Sequence, residues 1–87
     1  MNDVESTNGT WYRCTVKAAG PIEDGSVYIG LEGPPDHHFN HFFCPVEEAN
    51  EPMLLVALGA MISGKQVDAV LESEEAESAI YRLYLVG

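Results

Sequence analysis

Basic side chains are what this chain has least of. Its 87 residues include four Lys and Arg against fourteen Asp and Glu, a formal net charge of -10. Nucleic-acid affinity rests largely on Lys and Arg displacing counterions from phosphates, and Arg13, Lys17, Lys65 and Arg82 are too few to outweigh the carboxylates. Anionic membrane surfaces are disfavoured for the same reason. Long apolar runs are also missing: the longest, Met53 to Ile62, covers about half the length that a bilayer crossing needs. No glycine-rich phosphate loop is present, because Gly59, Gly64 and the turn glycines fit neither nucleotide fingerprint. The start of the chain, Met1 to Thr10, is polar and acidic, without the basic start or apolar centre of a signal peptide. Two cysteines do not decide the redox compartment. The location is cytoplasmic if Met1 is the native start, and secreted or periplasmic if a leader has been removed.

What remains is enough for one small domain. Residues 1–9 carry no periodicity and read as a disordered acidic tail, and residues 10–87 as a single folding unit. Tyr12, Cys14, Val16 and Ala18 alternate with Trp11, Arg13, Thr15 and Lys17, the period of a half-buried strand. Gly20-Pro21 and Glu23-Asp24-Gly25 punctuate a turn. Val27, Ile29 and Leu31 alternate with Ser26, Tyr28 and Gly30 in a second strand, which Gly33-Pro34-Pro35 breaks. Phe39 to Cys44 is a short aromatic strand that can bury either of its faces, and Pro45 ends it.

A helix follows. Glu47 and Glu48 suit its positive N-terminal end, Pro52 fits the first turn, and Gly64 offers a left-handed stop. Leu54, Ala57, Leu58 and Met61 form one stripe at helical spacing, while Leu55 and Ile62 lie on another side. Two apolar faces suggest two partners, the barrel and a neighbouring subunit. Val67, Ala69 and Leu71 then alternate with Gln66, Asp68 and Val70, Glu72 to Glu77 form an acidic turn, and Tyr81, Leu83 and Leu85 alternate with Arg82, Tyr84 and Val86. The order β-β-β-α-β-β predicts a mostly β domain with one helix, a five-stranded OB-fold-like barrel.

Several groups could carry chemistry. His37, His38 and His41 lie close to Asp36 and Cys44, and a zinc site needs three or four such donors converging at about 2.0–2.3 Å. In an extended segment His41 and Cys44 point to opposite faces, so the plainer reading is a turn whose histidines flank a strand. A disulfide between Cys14 and Cys44 would contribute about 3 kcal/mol to so small a domain; the alternative is two free thiols packed as small hydrophobes. The paired carboxylates Glu23-Asp24, Glu47-Glu48 and Glu74-Glu75 all fall where solvated turns or a helix start are expected. No nucleophile signature and no cofactor motif is present, so the chain reads as a non-enzyme. Outward aromatics and cations, Trp11, Arg13, Tyr28, Arg82 and Tyr84, mark a contact surface for a ligand or a subunit. Leu55, Gly59 and Ile62 mark an oligomer interface on the helix.

The stretch Ala57 to Val67, with LGAMISGKQV within it, and the terminal strand Ile80 to Val86 resemble, in layout, the small OB-fold B subunits of AB5 bacterial toxins. The resemblance implies a ring, often a pentamer, with helices lining a central pore and outer surfaces that bind glycans. It assigns no residue of this chain to a sugar.

The expected function is a binding module that self-associates through its helix and outward aromatics and recognises a carbohydrate or a protein. The alternative is an acidic inhibitor or nucleic-acid-mimicking decoy that occupies a basic site on another protein. A third reading makes the histidines a metal-dependent hydrolase or sensor.

Overall fold

The computed structural model describes residues 9–87, so the expected tail lies, but for Gly9, outside the described residues. Five strands, β1 (Thr10–Pro21), β2 (Val27–Glu32), β3 (Asn40–Pro45), β4 (Val67–Leu71) and β5 (Ala79–Leu85), close a barrel in the order β1-β2-β3-β5-β4. A short 3-10 turn (Glu47–Ala49) leads into the single helix α1 (Asn50–Ser63) between β3 and β4. This is the connectivity of the OB-fold, in which β1 serves two neighbours. Its first half pairs with β4, from Thr10 opposite Leu71 to Cys14 opposite Val67, and its second half with β2, from Thr15 opposite Glu32 to Pro21 opposite Val27.

A register shift between Val16 and Ala18 bends β1 from one side of the barrel to the other. Gly20 and Pro21, expected as a turn, therefore continue the strand opposite Tyr28 and Val27. The reversal comes only at Glu23 to Gly25, where the Asp24 carboxylate accepts the Ser26 N–H at 2.8 Å.

A parallel pairing of β3 with β5, Cys44 opposite Ala79 and Pro45 opposite Ile80, closes the barrel. Cys44 N–H donates to Ser78 O at 2.9 Å and Val46 N–H to Ile80 O at 3.1 Å. Proline occupies the intervening position because no donor is required there.

The core follows the alternation. Tyr12, Cys14 and Val16, then Val27, Ile29 and Leu31, then Val67, Ala69 and Leu71 are buried. On β3 the face containing Phe43 turns inward, and Phe42 points out. Phe39 folds back over the barrel mouth and packs edge-on against Tyr12 at 5.3 Å and Phe43 at 5.5 Å. Gly33 makes room for it: a Cβ there would sit 2.6 Å from the Phe39 ring.

β5 departs from simple alternation. A bulge at Tyr81 sets Leu71 opposite Ile80 but Val70 opposite Arg82, so Ile80 and Leu83 both reach the core although three positions apart. Leu85, expected on the same face as Leu83, is exposed.

The helix also corrects its expected stripe. Met53, Ala57 and Ala60 face the barrel, with Leu54 and Val56 half-buried, while Leu58 and Met61 are exposed. The small side chains of Ala57 and Ala60 let the helix backbone settle close against the barrel end, a fit that leucines at that contact would prevent. Gly64 ends the helix at φ 74°, with the left-handed geometry expected of it. No helix among the described residues is long and apolar enough to cross a membrane.

Candidate functional site

The five outward residues expected to form one contact surface divide between two walls of the barrel. Trp11 and Arg13 on β1, Asp68 and Val70 on β4, and Arg82 and Tyr84 on β5 lie side by side, since Trp11 pairs with Val70 and Arg13 with Asp68 on one flank, and Arg82 and Tyr84 pair with the same two residues on the other. Trp11 and Tyr84 stack with ring centroids 5.8 Å apart and planes at 23°. Beside them the Arg13 guanidinium grips Asp68, with Nε–H donating to Oδ1 at 2.5 Å and Nη2–H to Oδ2 at 3.4 Å. Tyr84 also borders α1, sharing a depression of about 260 Å³ with Pro52 and Val56. Leu85 approaches Gly59, where a Cβ would be 4.0 Å from Leu85 Cδ2. This wall and the helix are therefore one continuous surface.

The exposed side of α1 is apolar. Leu55 and Ile62 are 69% and 87% exposed, and Leu58 and Met61 extend the patch. From Pro52 to Gly64 the helix carries no charged residue. In a chain of net charge -10, this stretch adds no carboxylate to the repulsion between two copies.

Tyr28 stands on the opposite wall. Its ring meets Phe42 at 6.4 Å and 64°, and the two line an open apolar depression of about 310 Å³ with Ala18, Ala19, Pro21 and Ile22. Phe42 is the residue that reasoning on the sequence left undecided, because Phe39 to Cys44 offers aromatic residues on both faces. A second depression, of about 460 Å³ and polar, is lined by Asp24, Ser26, Cys44, Glu47 and Asn50. Tyr28 of the first depression and Cys44 of the second are near enough to interact electrostatically.

Glu77 overlooks the same place. Its backbone is left-handed at φ 68°, unusual for a residue with a Cβ, and its N–H donates to Phe42 O at 2.7 Å. Glu77, then desolvation, then Cys44 and Asp24 raise the Tyr28 phenol above its ordinary value.

The histidines do not form a metal site. Glu74 of the β4–β5 loop engages two of them as a hydrogen-bond acceptor: His37 Nδ1–H donates to its carboxylate at 2.8 Å, and His41 Nε2–H to its backbone carbonyl at 2.9 Å. His38 is exposed on the surface. Among the described residues no group of three or more His, Cys, Asp or Glu is placed to hold a metal ion. His37, in the β2–β3 loop, and His41, on β3, both tie the β4–β5 loop to this end of the barrel. Tyr12 Oη donates to the same Glu74 carboxylate at 3.0 Å, and these hydrogen bonds hold that carboxyl below its usual range.

The disulfide is likewise corrected: Cys14 and Cys44 are free thiols. Cys14 points into the core opposite Val67, whereas Cys44 belongs to the outer groove on β3, with β2 between them. Burial, with a smaller contribution from Asp68, pushes the Cys14 thiol up to about 12.

No protein-family model, curated protein or solved structure matches the chain. The OB-fold-like class therefore rests on connectivity, and function must be argued from these surfaces.

Proposed function

We propose that this protein is a non-enzymatic binding module that assembles with copies of itself through the outer face of α1, leaving a barrel wall free for a ligand. One observation carries the reading: a helix without a charged residue from Pro52 to its end turns Leu55, Leu58, Met61 and Ile62 to solvent on a chain that is otherwise densely acidic. Interface cores are depleted of charge and rich in apolar side chains, as this face is. The adjoining Trp11 and Tyr84 extend the surface with large, stiff rings, and their mutual stacking occupies ring area that a sugar would otherwise cover. They act as subunit contacts in this reading, and a glycan or protein ligand takes the remaining wall. In this reading the helix face of one copy meets the Trp11 and Tyr84 wall of the next, a head-to-tail contact that can close into a ring such as a pentamer.

Native mass spectrometry and light scattering at micromolar concentration test it. An oligomer that Leu55→Glu with Ile62→Glu converts to a folded monomer is expected. A wild-type monomer overturns the reading.

A further inference from the structure

The wall carrying Tyr28 and Phe42 is the most chemically specific surface left unassigned. It sets an apolar depression, lined by Ala18, Ala19, Ile22, Tyr28 and Phe42, near a polar one lined by Asp24 and Glu47. Phe42 is 48% exposed and Ile22 39%, so both present apolar area to water. The Glu77 N–H bond to Phe42 O holds the β4–β5 loop on the β3 strand, and the nearby Glu77 and Asp24 act electrostatically on Tyr28. Among the described residues lining the two depressions, none is Lys or Arg.

Of the four cations in the chain, Arg13 pairs with Asp68 on the other wall and Lys17 with Glu32. Neither groove carboxylate is paired with them. The groove thus combines aromatic faces, which attract cations through their quadrupoles, with acids that lack a basic neighbour in the lining.

We infer that this groove binds an extended basic segment of another protein, seating an apolar side chain between Ile22, Tyr28 and Phe42 and a Lys or Arg side chain two positions along beside Asp24, Glu47 and Glu77. Charge complementarity selects the occupant. An acidic peptide or a phosphate backbone meets like charge here, and a neutral one leaves the carboxylates unused. In an extended chain, alternate side chains point the same way, about 6.8 Å apart, so one segment can present an apolar and a basic side chain to neighbouring depressions. The inference goes beyond the self-association proposed above and does not depend on it.

The probe is a fluorescent peptide of three Leu-Ser-Lys-Ser repeats, followed by anisotropy and by amide chemical shifts of the full-length protein. Binding is expected with shifts concentrated at Ile22, Tyr28, Phe42, Cys44 and Glu77. A peptide with Glu in place of Lys should not bind, and one with Ser in place of Leu should bind at least about tenfold more weakly.

Phe42→Ala should weaken binding about tenfold. Asp24→Asn with Glu47→Gln and Glu77→Gln should weaken it similarly and flatten its salt dependence. Asp36→Asn with Glu51→Gln and Glu75→Gln, which removes equal charge elsewhere, should leave it unchanged. Equal weakening by the two triple variants, shifts centred on α1, or no binding at millimolar peptide would each overturn the inference. A monomeric protein that takes the peptide supports this groove while refuting self-association; an oligomer that ignores it does the reverse.

Discussion

Tyr12 and Glu74, 62 positions apart in the chain, are joined by a 3.0 Å hydrogen bond from the phenol to the carboxylate. The bond fastens the β4–β5 loop to β1 at the mouth of the barrel. It also sets the two groups on opposite sides of a pH window, because the bond requires a neutral phenol and is strongest to an ionised carboxylate.

Glu74 is held below its ordinary value of 4.5, first by the Tyr12 hydrogen bond and then by His37. Its contribution to stability is complete above that ordinary value and disappears as pH falls through the lowered one. Tyr12 is raised above 10.0, first by burial and then by Glu74, so its contribution is complete below pH 10 and is lost as pH climbs through the raised value. Urea midpoints measured from pH 2 to 11 should fall at both ends. Tyr12→Phe should lower the plateau and shrink both slopes, and identical slopes in wild type and variant would refute the linkage.

The thiols should differ in reactivity. Cys14, fully buried and with its thiol pushed up to about 12, has almost no thiolate at neutral pH and no path to reagent. Maleimide should label native protein once, at half-buried Cys44, and denatured protein twice. Intact mass should not change on reduction. Two rapid native labels would place Cys14 outside the core.

Neighbouring phenylalanines on β3 should respond very unequally to truncation. Phe43 is completely buried, and Phe43→Ala should cost about 3–5 kcal/mol of unfolding free energy. Phe42→Ala, on the outer wall, should stay within about 0.5 kcal/mol. Chemical denaturation checks both, and a reversed order would mean that β3 shows its other face to the core.

On α1 the small residues should be the intolerant ones. Ala57 is wholly buried against the barrel end, and Ala57→Leu should destabilise by about 1–3 kcal/mol through overpacking. Leu55→Glu, at a position 69% exposed, should leave the denaturation midpoint of the isolated subunit nearly unchanged. A stable Ala57→Leu protein would mean that the helix packs on a different face.

Much of the fold is legible from the chain alone, for local reasons. The alternation of Tyr12, Cys14 and Val16 and of Val67, Ala69 and Leu71 identifies strands and their inner faces, because a half-buried strand imposes a period of two. Gly64 marks the helix end, since a left-handed residue there favours glycine. The order of elements was sufficient to indicate the barrel.

The misread features all depend on neighbours distant in sequence. Gly20 and Pro21 look like a turn until β2 is laid beside them. The three-position step from Ile80 to Leu83 comes from a bulge against Val70 and Leu71, which no window on β5 contains. Leu58 and Met61 outrank Ala57 and Ala60 by hydrophobicity, yet the barrel end takes the alanines, because how closely the helix approaches depends on the surface opposite.

The candidate sites divide in the same way. Charge balance already disfavours phosphate ligands, because fourteen carboxylates against four cations create a negative field however the chain folds. Which aromatics meet is a tertiary matter: Trp11 reaches Tyr84 across β4, and Tyr28 reaches Phe42 across a β2–β3 ladder. Composition and periodicity act within a few residues and so can be read along the chain. Closure of the barrel is decided by strand pairing over long separations, and that closure determines which side chains share a wall, which histidines meet Glu74, and which face of the helix remains uncovered.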